Sequence, residues 1–110
     1  MVVAIVQPHQ LPAVKKALFE SQIRHLTVTN VLGTAPEGAE YRVFRGVPHL
    51  VTLFQKVRIE LALPETMVER AVEAITRGGR ESGGFGIIFV TELMDAINVR
   101  TGHRGQMAIQ

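Results

Sequence analysis

The order of apolar patterns along the chain predicts an α+β fold. Strand-like runs and amphipathic helical patterns follow one another as β-α-β and then again as β-α-β. Residues 56–63 alternate between an apolar face and a largely charged face, which is typical of a strand that buries one side. This order predicts the ferredoxin-like arrangement, βαββαβ, in which two helices pack on one face of a four-stranded antiparallel sheet.

The first half of the chain supplies a strand, a helix and a second strand. Residues 2–6 are apolar and mostly β-branched and stop at Gln7-Pro8, which predicts a buried strand. Pro12 suits a first helical turn, and apolar residues then follow at near-helical spacing: Val14, Ala17, Leu18 and Ile23. Residues 26–32 are rich in Thr and Val and predict a second strand that ends at Gly33.

The second half repeats this order after the strand at 56–63. Pro64 and Glu65 begin a helix whose apolar stripe contains Val68, Ala71, Val72 and Ile75. Gly78 is predicted to end this helix as its C-terminal cap. A glycine-rich loop over 78–86 leads to a fourth strand at 87–90. Residues 94–99 predict a short final helix or a turn, before a polar tail.

Composition limits the class of protein. A chain of 110 residues with 46% hydrophobic and 20% charged residues is typical of one globular domain, here 1–110. The absence of cysteine excludes disulfides, thiolate metal sites and a cysteine nucleophile, and it fits a cytoplasmic location. No apolar run is long enough to insert in a membrane, and a net charge of +2 does not indicate direct nucleic-acid binding.

The strands predict an assembly of several copies. Residues 2–6 and 87–90 are apolar on both sides, which indicates burial on both faces of the sheet. A chain this short has no further elements to cover the second face. We therefore expect a homotrimer.

Two loop segments are candidates for function. Residues 33–55 are unusually long for a connection and contain aromatic groups that could dock on a partner, the alternative being a mobile insertion. The glycine-rich segment 78–86 could bring backbone N–H groups close to a phosphate, the alternative being a flexible turn. It contains no Walker-type motif.

The remaining polar residues predict anion binding rather than chemistry. The cationic turn at 100–104, together with Lys56, could bind anionic oxygens or simply be a solvated tail. The four histidines are not spaced as metal ligands, and neither serine lies in a nucleophile elbow. We therefore expect no metal site and no enzymatic activity.

Three segments together resemble the PII nitrogen-regulatory family. They are residues 7–11 with the following helix and 26–29, residues 41–46 through 56–60, and residues 84–90 followed by 99–102. The third is the most specific, because its glycine spacing, its Ile-Phe-Val strand and its Arg-Thr-Gly turn occur at the family's distances.

The resemblance implies a trimeric signalling protein that binds ATP or ADP in clefts between subunits. The long loop, about 33–55, would be the T-loop that docks on partners; 78–86 would be the B-loop and 99–110 the C-terminal loop. Nucleotide binding is carried over by position to Thr27, Gly33, Thr34, Ala35, Lys56, Ala62, Gly84, Phe85, Gly86 and Arg100. Thr27 and Ala62 would lie near the base. Partner docking is carried over to Glu37, Tyr41, Phe44, Arg45 and His49.

The chain departs from the family pattern at ligand positions. Ile87 replaces a phosphate-binding lysine, Phe85 replaces an acidic residue, and Asn98 replaces an arginine. These departures indicate a divergent PII-like branch. We expect ADP, AMP or ATP as effector, a small anion such as bicarbonate as a candidate co-effector, and a protein partner such as a membrane transporter. The alternative is a CutA-like metal-responsive or structural trimer, which has the same fold.

Overall fold

The computed structural model describes residues 1–34, 42–44, 47–49 and 53–109. The strands are β1 (Val2–Val6), β2 (Thr27–Thr34), β3 (Arg42–Phe44), β4 (Val47–His49), β5 (Leu53–Leu61) and β6 (Gly86–Val90). The helices are α1 (Leu11–Glu20) and α2 (Glu65–Ser82), with short 3-10 helices at Pro8–Gln10 and Gly105–Ala108.

The main sheet confirms the predicted architecture. Its strands lie in the order β2-β5-β1-β6, and each neighbouring pair is antiparallel. Val6 marks one end of the sheet, where it lies between Val57 of β5 and Gly86 of β6. Strands β3 and β4 pair with each other in a separate two-stranded sheet.

The core lies between the sheet and the two helices. Alternate residues of the central strands, among them Ala4, Ile59 and Leu61, are buried against Leu18 of α1 and Ala71 of α2. Each fully buried leucine or isoleucine side chain contributes roughly 1.5–3 kcal/mol to the stability of the fold. The alternation that predicted β5 therefore identifies the side of the sheet that the helices cover.

Neither α1 nor α2 covers the opposite face of the sheet, where the side chains of β6 are exposed although Val3 of β1 is buried. Ile5 pairs with Ile87 across β1 and β6, and Val3 pairs with Phe89. Both pairs lie on this face. Ile87 is 52% exposed and Phe89 is 50% exposed. We call this surface the open face.

The predicted strand boundaries need correction. Strand β2 continues through Gly33 to Thr34, and β5 begins at Leu53 and ends at Leu61. Gly33 pairs with Phe54 and Thr34 with Leu53. Pairing with a distant strand therefore extends both elements into the segment whose glycines and prolines predicted a break at Gly33.

The prediction that Gly78 caps α2 is wrong. The helix continues to Ser82, and its C-terminal residue is followed by Gly83 with φ +69°. A Cβ at Gly78 would lie 2.7 Å from the Ala13 carbonyl oxygen and from Val14 Cα. Gly78 is therefore in the helix because α1 and α2 approach each other too closely for any side chain, and the glycine-rich loop begins at Gly83 rather than Gly78.

The C-terminal segment forms a turn and a 3-10 helix rather than a plain tail. Residues 94–99 contain no helix, and the chain reverses between Ile97 and Arg104, which form an isolated antiparallel bridge. The 3-10 helix Gly105–Ala108 follows. In the described ranges, no helix has the length and hydropathy needed to cross a membrane.

Candidate functional site

Lys56 joins two predicted site residues at one end of the sheet. Its ammonium group donates a hydrogen bond to the Thr34 carbonyl oxygen. Its side chain also lies over Gly33, where an added Cβ would be 3.3 Å from Lys56 Cδ. Gly33 therefore leaves room for the lysine to run along β2, and Lys56, Gly33 and Thr34 form one cluster.

The glycine-rich loop lies at the same end of the sheet but on the other outer strand. Gly84 has φ +123°, a backbone conformation that residues with a side chain rarely adopt. The Phe85 N–H donates to Gln7 Oε1 at 3.0 Å, and His9 Nε2 lies 2.6 Å from the Gly83 carbonyl oxygen. Gly84 therefore lies against two side chains that precede α1, those of Gln7 and His9.

Thr27 and Ala62 lie together at the opposite end of the sheet. They line a shallow cavity of about 490 Å³ with Arg24, His25, Leu26, Glu60, Ala108 and Ile109. Thr27 is in register with Glu60, whose carboxylate accepts a hydrogen bond from Arg58 Nε at 2.7 Å. The cavity thus combines the Thr27 hydroxyl group, the Glu60 carboxylate and the side chains of Arg24 and His25 with apolar side chains.

Arg100 lies in a turn that Asn98 organises. Asn98 Oδ1 accepts hydrogen bonds from the backbone N–H groups of Arg100, at 2.9 Å, and Thr101, at 3.1 Å. The Gly102 N–H donates to the Asn98 carbonyl oxygen at 2.8 Å. Asn98 therefore holds the turn that presents Arg100.

An ion pair between Arg104 and Asp95, 3.0 Å apart, closes the base of this turn. Across the described part of the chain, the Arg100 guanidinium makes no hydrogen bond or ion pair. It is the cation of this turn that remains available to an anion.

One chain does not bring all the predicted residues together. Thr27 and Gly33 lie on the same strand, about 20 Å apart at about 3.3 Å per residue, and so mark opposite ends of the sheet. Strands β5 and β1 lie between Gly86 on β6 and strand β2, so three inter-strand spacings of about 4.8 Å, or about 14 Å, separate them. The candidate residues therefore form separate patches on a single subunit.

The predicted docking residues are largely outside the described chain. Glu37, Tyr41 and Arg45 belong to the ranges that are not described, as does Ala35, which was predicted to bind the nucleotide. Phe44 ends β3 and His49 ends β4, within the small two-stranded sheet. The role of all these residues stays a prediction.

Three residues with evident roles were missed at the sequence level: Gln7, His9 and Gln10. Gln10 is buried, accepts a hydrogen bond from the Gln7 N–H at 2.7 Å, and donates from Nε2 to the Gly79 carbonyl oxygen at 3.2 Å. The available signal was the polar interruption of an apolar run around Pro8. It indicated the end of a strand but not the distant partners of these side chains.

Comparison with known proteins decides the family. The family model described as "Nitrogen regulatory protein P-II" matches residues 1–103. The chain belongs to the P-II family. It is 40% identical over 107 residues to the nitrogen regulatory protein P-II of Rhodobacter capsulatus, with 96% of each chain covered. It is 37% identical over 107 residues to that of Azospirillum brasilense, again with 96% of each chain covered.

A more distant relative has the same extent. The nitrogen regulatory protein GlnK1 of Methanosarcina mazei is 33% identical over 111 residues, which cover 98% of this chain and 95% of the relative. P-II proteins are regulators in signal transduction and are not enzymes. The expectation of a non-catalytic signalling protein is thereby confirmed at the level of the family.

Proposed function

We propose that this P-II protein is a homotrimer that binds an adenine nucleotide in the clefts between its subunits and regulates a partner through the loop at 33–55. The observation that carries the proposal is the separation of the candidate residues into patches on one subunit. We expect a single ligand to contact the Thr27 cavity together with Lys56 and the Gly84 loop only where neighbouring copies contribute some of these patches.

The open face supports the trimer. Ile87 and Phe89 are half exposed on a sheet that has helices on its other side only. Contiguous apolar surface of this kind favours association, since its burial releases roughly 25 cal/mol per Å². Three copies that face their sheets inward would cover it.

The charges support a nucleotide as effector. Lys56 and Arg100 supply cations, while Thr27, Ala62 and the cavity around them supply a small, partly apolar recess for a base. Ile87 stands where the family pattern has a cation against the outer phosphates. We therefore expect ADP and AMP to compete well with ATP.

The test is calorimetry with ATP, ADP and AMP on the wild type and on Arg100→Ala. A charge-assisted hydrogen bond contributes roughly 1.5–3 kcal/mol, so the variant should bind about tenfold more weakly or worse. Arg70→Ala, which removes an exposed arginine from α2, is the matched control and should bind as the wild type does. No heat with any of the three nucleotides would end the proposal.

Two further arms of this titration define the rest of the proposal. Bicarbonate added with the nucleotide tests a small anion as co-effector near Arg100 and His103. Divalent metal ions added without nucleotide test the CutA-like alternative, in which binding of a metal replaces binding of a nucleotide. Nucleotide binding without metal binding would favour signalling by a cytoplasmic P-II protein over that alternative.

The partner is expected to be a protein such as a membrane transporter, contacted by Glu37, Tyr41, Phe44, Arg45 and His49. Substitution of Tyr41 and Arg45 by alanine should abolish partner binding while nucleotide affinity stays unchanged. Surface plasmon resonance with a purified transporter would measure the first effect and calorimetry the second.

A further inference from the structure

The segment between β1 and α1 is attached to the glycine-rich loop by hydrogen bonds from two side chains. Gln7 Oε1 accepts a hydrogen bond from the Phe85 N–H at 3.0 Å, so the oxygen of the Gln7 side-chain amide faces the loop. His9 Nε2 contacts the Gly83 carbonyl oxygen at 2.6 Å, and because a carbonyl oxygen only accepts, Nε2 carries the hydrogen. Both partners flank Gly84.

These contacts rest on a rigid base. Gln10 is buried. Its side-chain oxygen accepts a hydrogen bond from the Gln7 backbone N–H, and its side-chain nitrogen donates to the Gly79 carbonyl oxygen of α2. A Cβ at Gly84 would collide with Gln7 Oε1 and lie 3.1 Å from the His9 ring. Glycine at 84 is therefore favoured by φ +123° and by the Gln7 side chain, which an added Cβ would displace, independently of any ligand.

The geometry of a peptide plane decides what this attachment does. In a trans peptide the C=O and the following N–H point in opposite directions. Since His9 holds the Gly83 C=O, the Gly84 N–H of the same plane is aimed away from His9 and out of the loop. Among the described residues none accepts a hydrogen bond from this N–H, whereas the Gly83 N–H donates to Arg80 and the Phe85 N–H to Gln7.

We infer that His9 and Gln7 are positioning residues for phosphate binding: they orient the loop so that the Gly84 N–H is its backbone donor to the first phosphate of a nucleotide. This inference rests on the proposed function, because it assumes that a nucleotide binds at the loop. Because the Phe85 N–H already donates to Gln7, the loop does not offer several successive backbone N–H groups to an anion. A loop with few free donors suits a ligand with few phosphates.

The experiment compares His9→Phe with His9→Gln. Phenylalanine keeps a ring but has no donor, whereas the glutamine amide can donate from a similar position. Calorimetry with adenosine and ADP should show about a tenfold loss of ADP affinity in His9→Phe, with adenosine affinity unchanged and His9→Gln close to the wild type. Gln7→Ala should also weaken ADP and spare adenosine.

Hydrogen exchange of the ligand-free protein supplies a readout that needs no nucleotide. Amides of residues 83–86 should exchange faster in His9→Phe and Gln7→Ala, and those of α2 should not change. Equal losses for adenosine and ADP, full ADP affinity in His9→Phe, or unchanged exchange would overturn the inference.

The failure of the proposed function has a different signature. If the wild type binds no nucleotide, the role in phosphate binding falls with the proposed function. Exchange at 83–86 then decides separately whether His9 and Gln7 hold the loop.

Discussion

The two faces of the sheet are built from alternate residues of the same strands, yet they have different environments. On one face, Ala4 pairs with Ile88 beneath the helices and is completely buried. On the other, the neighbouring pair of Ile5 and Ile87 lies on the open face, where Ile87 is half exposed. A one-residue step along a strand thus changes a side chain from stabilising the subunit to being available for contacts between subunits.

The charged side chains of β5 follow the same division. Lys56, Arg58 and Glu60 point to the side of the sheet opposite Val57, Ile59 and Leu61. Stability of the fold is therefore concentrated on the helix-covered side. On the open side lie the charged side chains of β5 and the uncovered apolar surface of β6, and substitutions on the two sides of the sheet should have different kinds of effect.

The largest expected effect is loss of the assembly in Phe89→Asp. A carboxylate at this position would be buried without a partner in an interface between open faces, which is strongly unfavourable. Light scattering should give a trimer for the wild type and a mass near 12.1 kDa for the variant. Thr66→Asp, which adds the same charge at the start of α2 on the covered side, should remain trimeric. A 12.1 kDa wild type would refute the trimer.

A smaller effect is expected on the covered side, in Gly78→Ala. The new Cβ would meet backbone atoms of Ala13 and Val14, so the helices must separate, and we expect a loss of about 1–3 kcal/mol in unfolding free energy. Gly79→Ala is the matched control. Its Cβ would meet only Gln10 Nε2 at 3.6 Å, and it should stabilise the helix by up to about 1 kcal/mol.

Urea denaturation at a fixed protein concentration measures both glycine variants. Similar stabilities for Gly78→Ala and Gly79→Ala would contradict the close approach of the helices. They would also weaken the distinction between a tightly packed covered face and an open one.

The smallest effect concerns the connection that follows α1. Gln22 has φ +66°, which costs about 1–2 kcal/mol for a residue with a side chain. Gln22→Gly should raise the unfolding free energy by about 0.5–1 kcal/mol, because the greater freedom of the unfolded chain offsets part of the gain. Ser21→Gly, at φ −89°, should lower it. Thermal denaturation checks the pair, and a destabilised Gln22→Gly would show that the backbone is not strained there.

Local patterns were sufficient for the elements that bury one side. The alternation of Val57, Ile59 and Leu61 predicted β5, and the helical spacing of Val14 and Leu18 predicted α1, because one apolar face leaves a regular signature in either period. The uninterrupted apolar run of β6 likewise predicted a sheet with apolar residues on both faces. What these patterns could not give was the ends of the strands, since those depend on the partner strand.

The candidate site was predictable only in part, for a related reason. Lys56 and the glycines near 84 stood out by residue type, and resemblance to the family supplied their roles. Asn98 stood out only as a departure from the family pattern, and His9 did not stand out, because an asparagine that holds a turn and a histidine that holds a loop look like ordinary polar residues in sequence. Their roles arise from hydrogen bonds to backbone groups, and the partner of His9 is distant along the chain.

By itself the sequence determined the order of the elements of the main sheet and its helices, the covered side of β5 and the family, since these depend on short periods and on motifs of neighbouring residues. The tertiary structure alone decided why Gly78 lies inside a helix, where the glycine-rich loop begins, and which peptide planes His9 and Gln7 hold. Each of these depends on atoms that are distant along the chain and within a few ångströms in space, and such contacts leave no periodic trace in a single sequence.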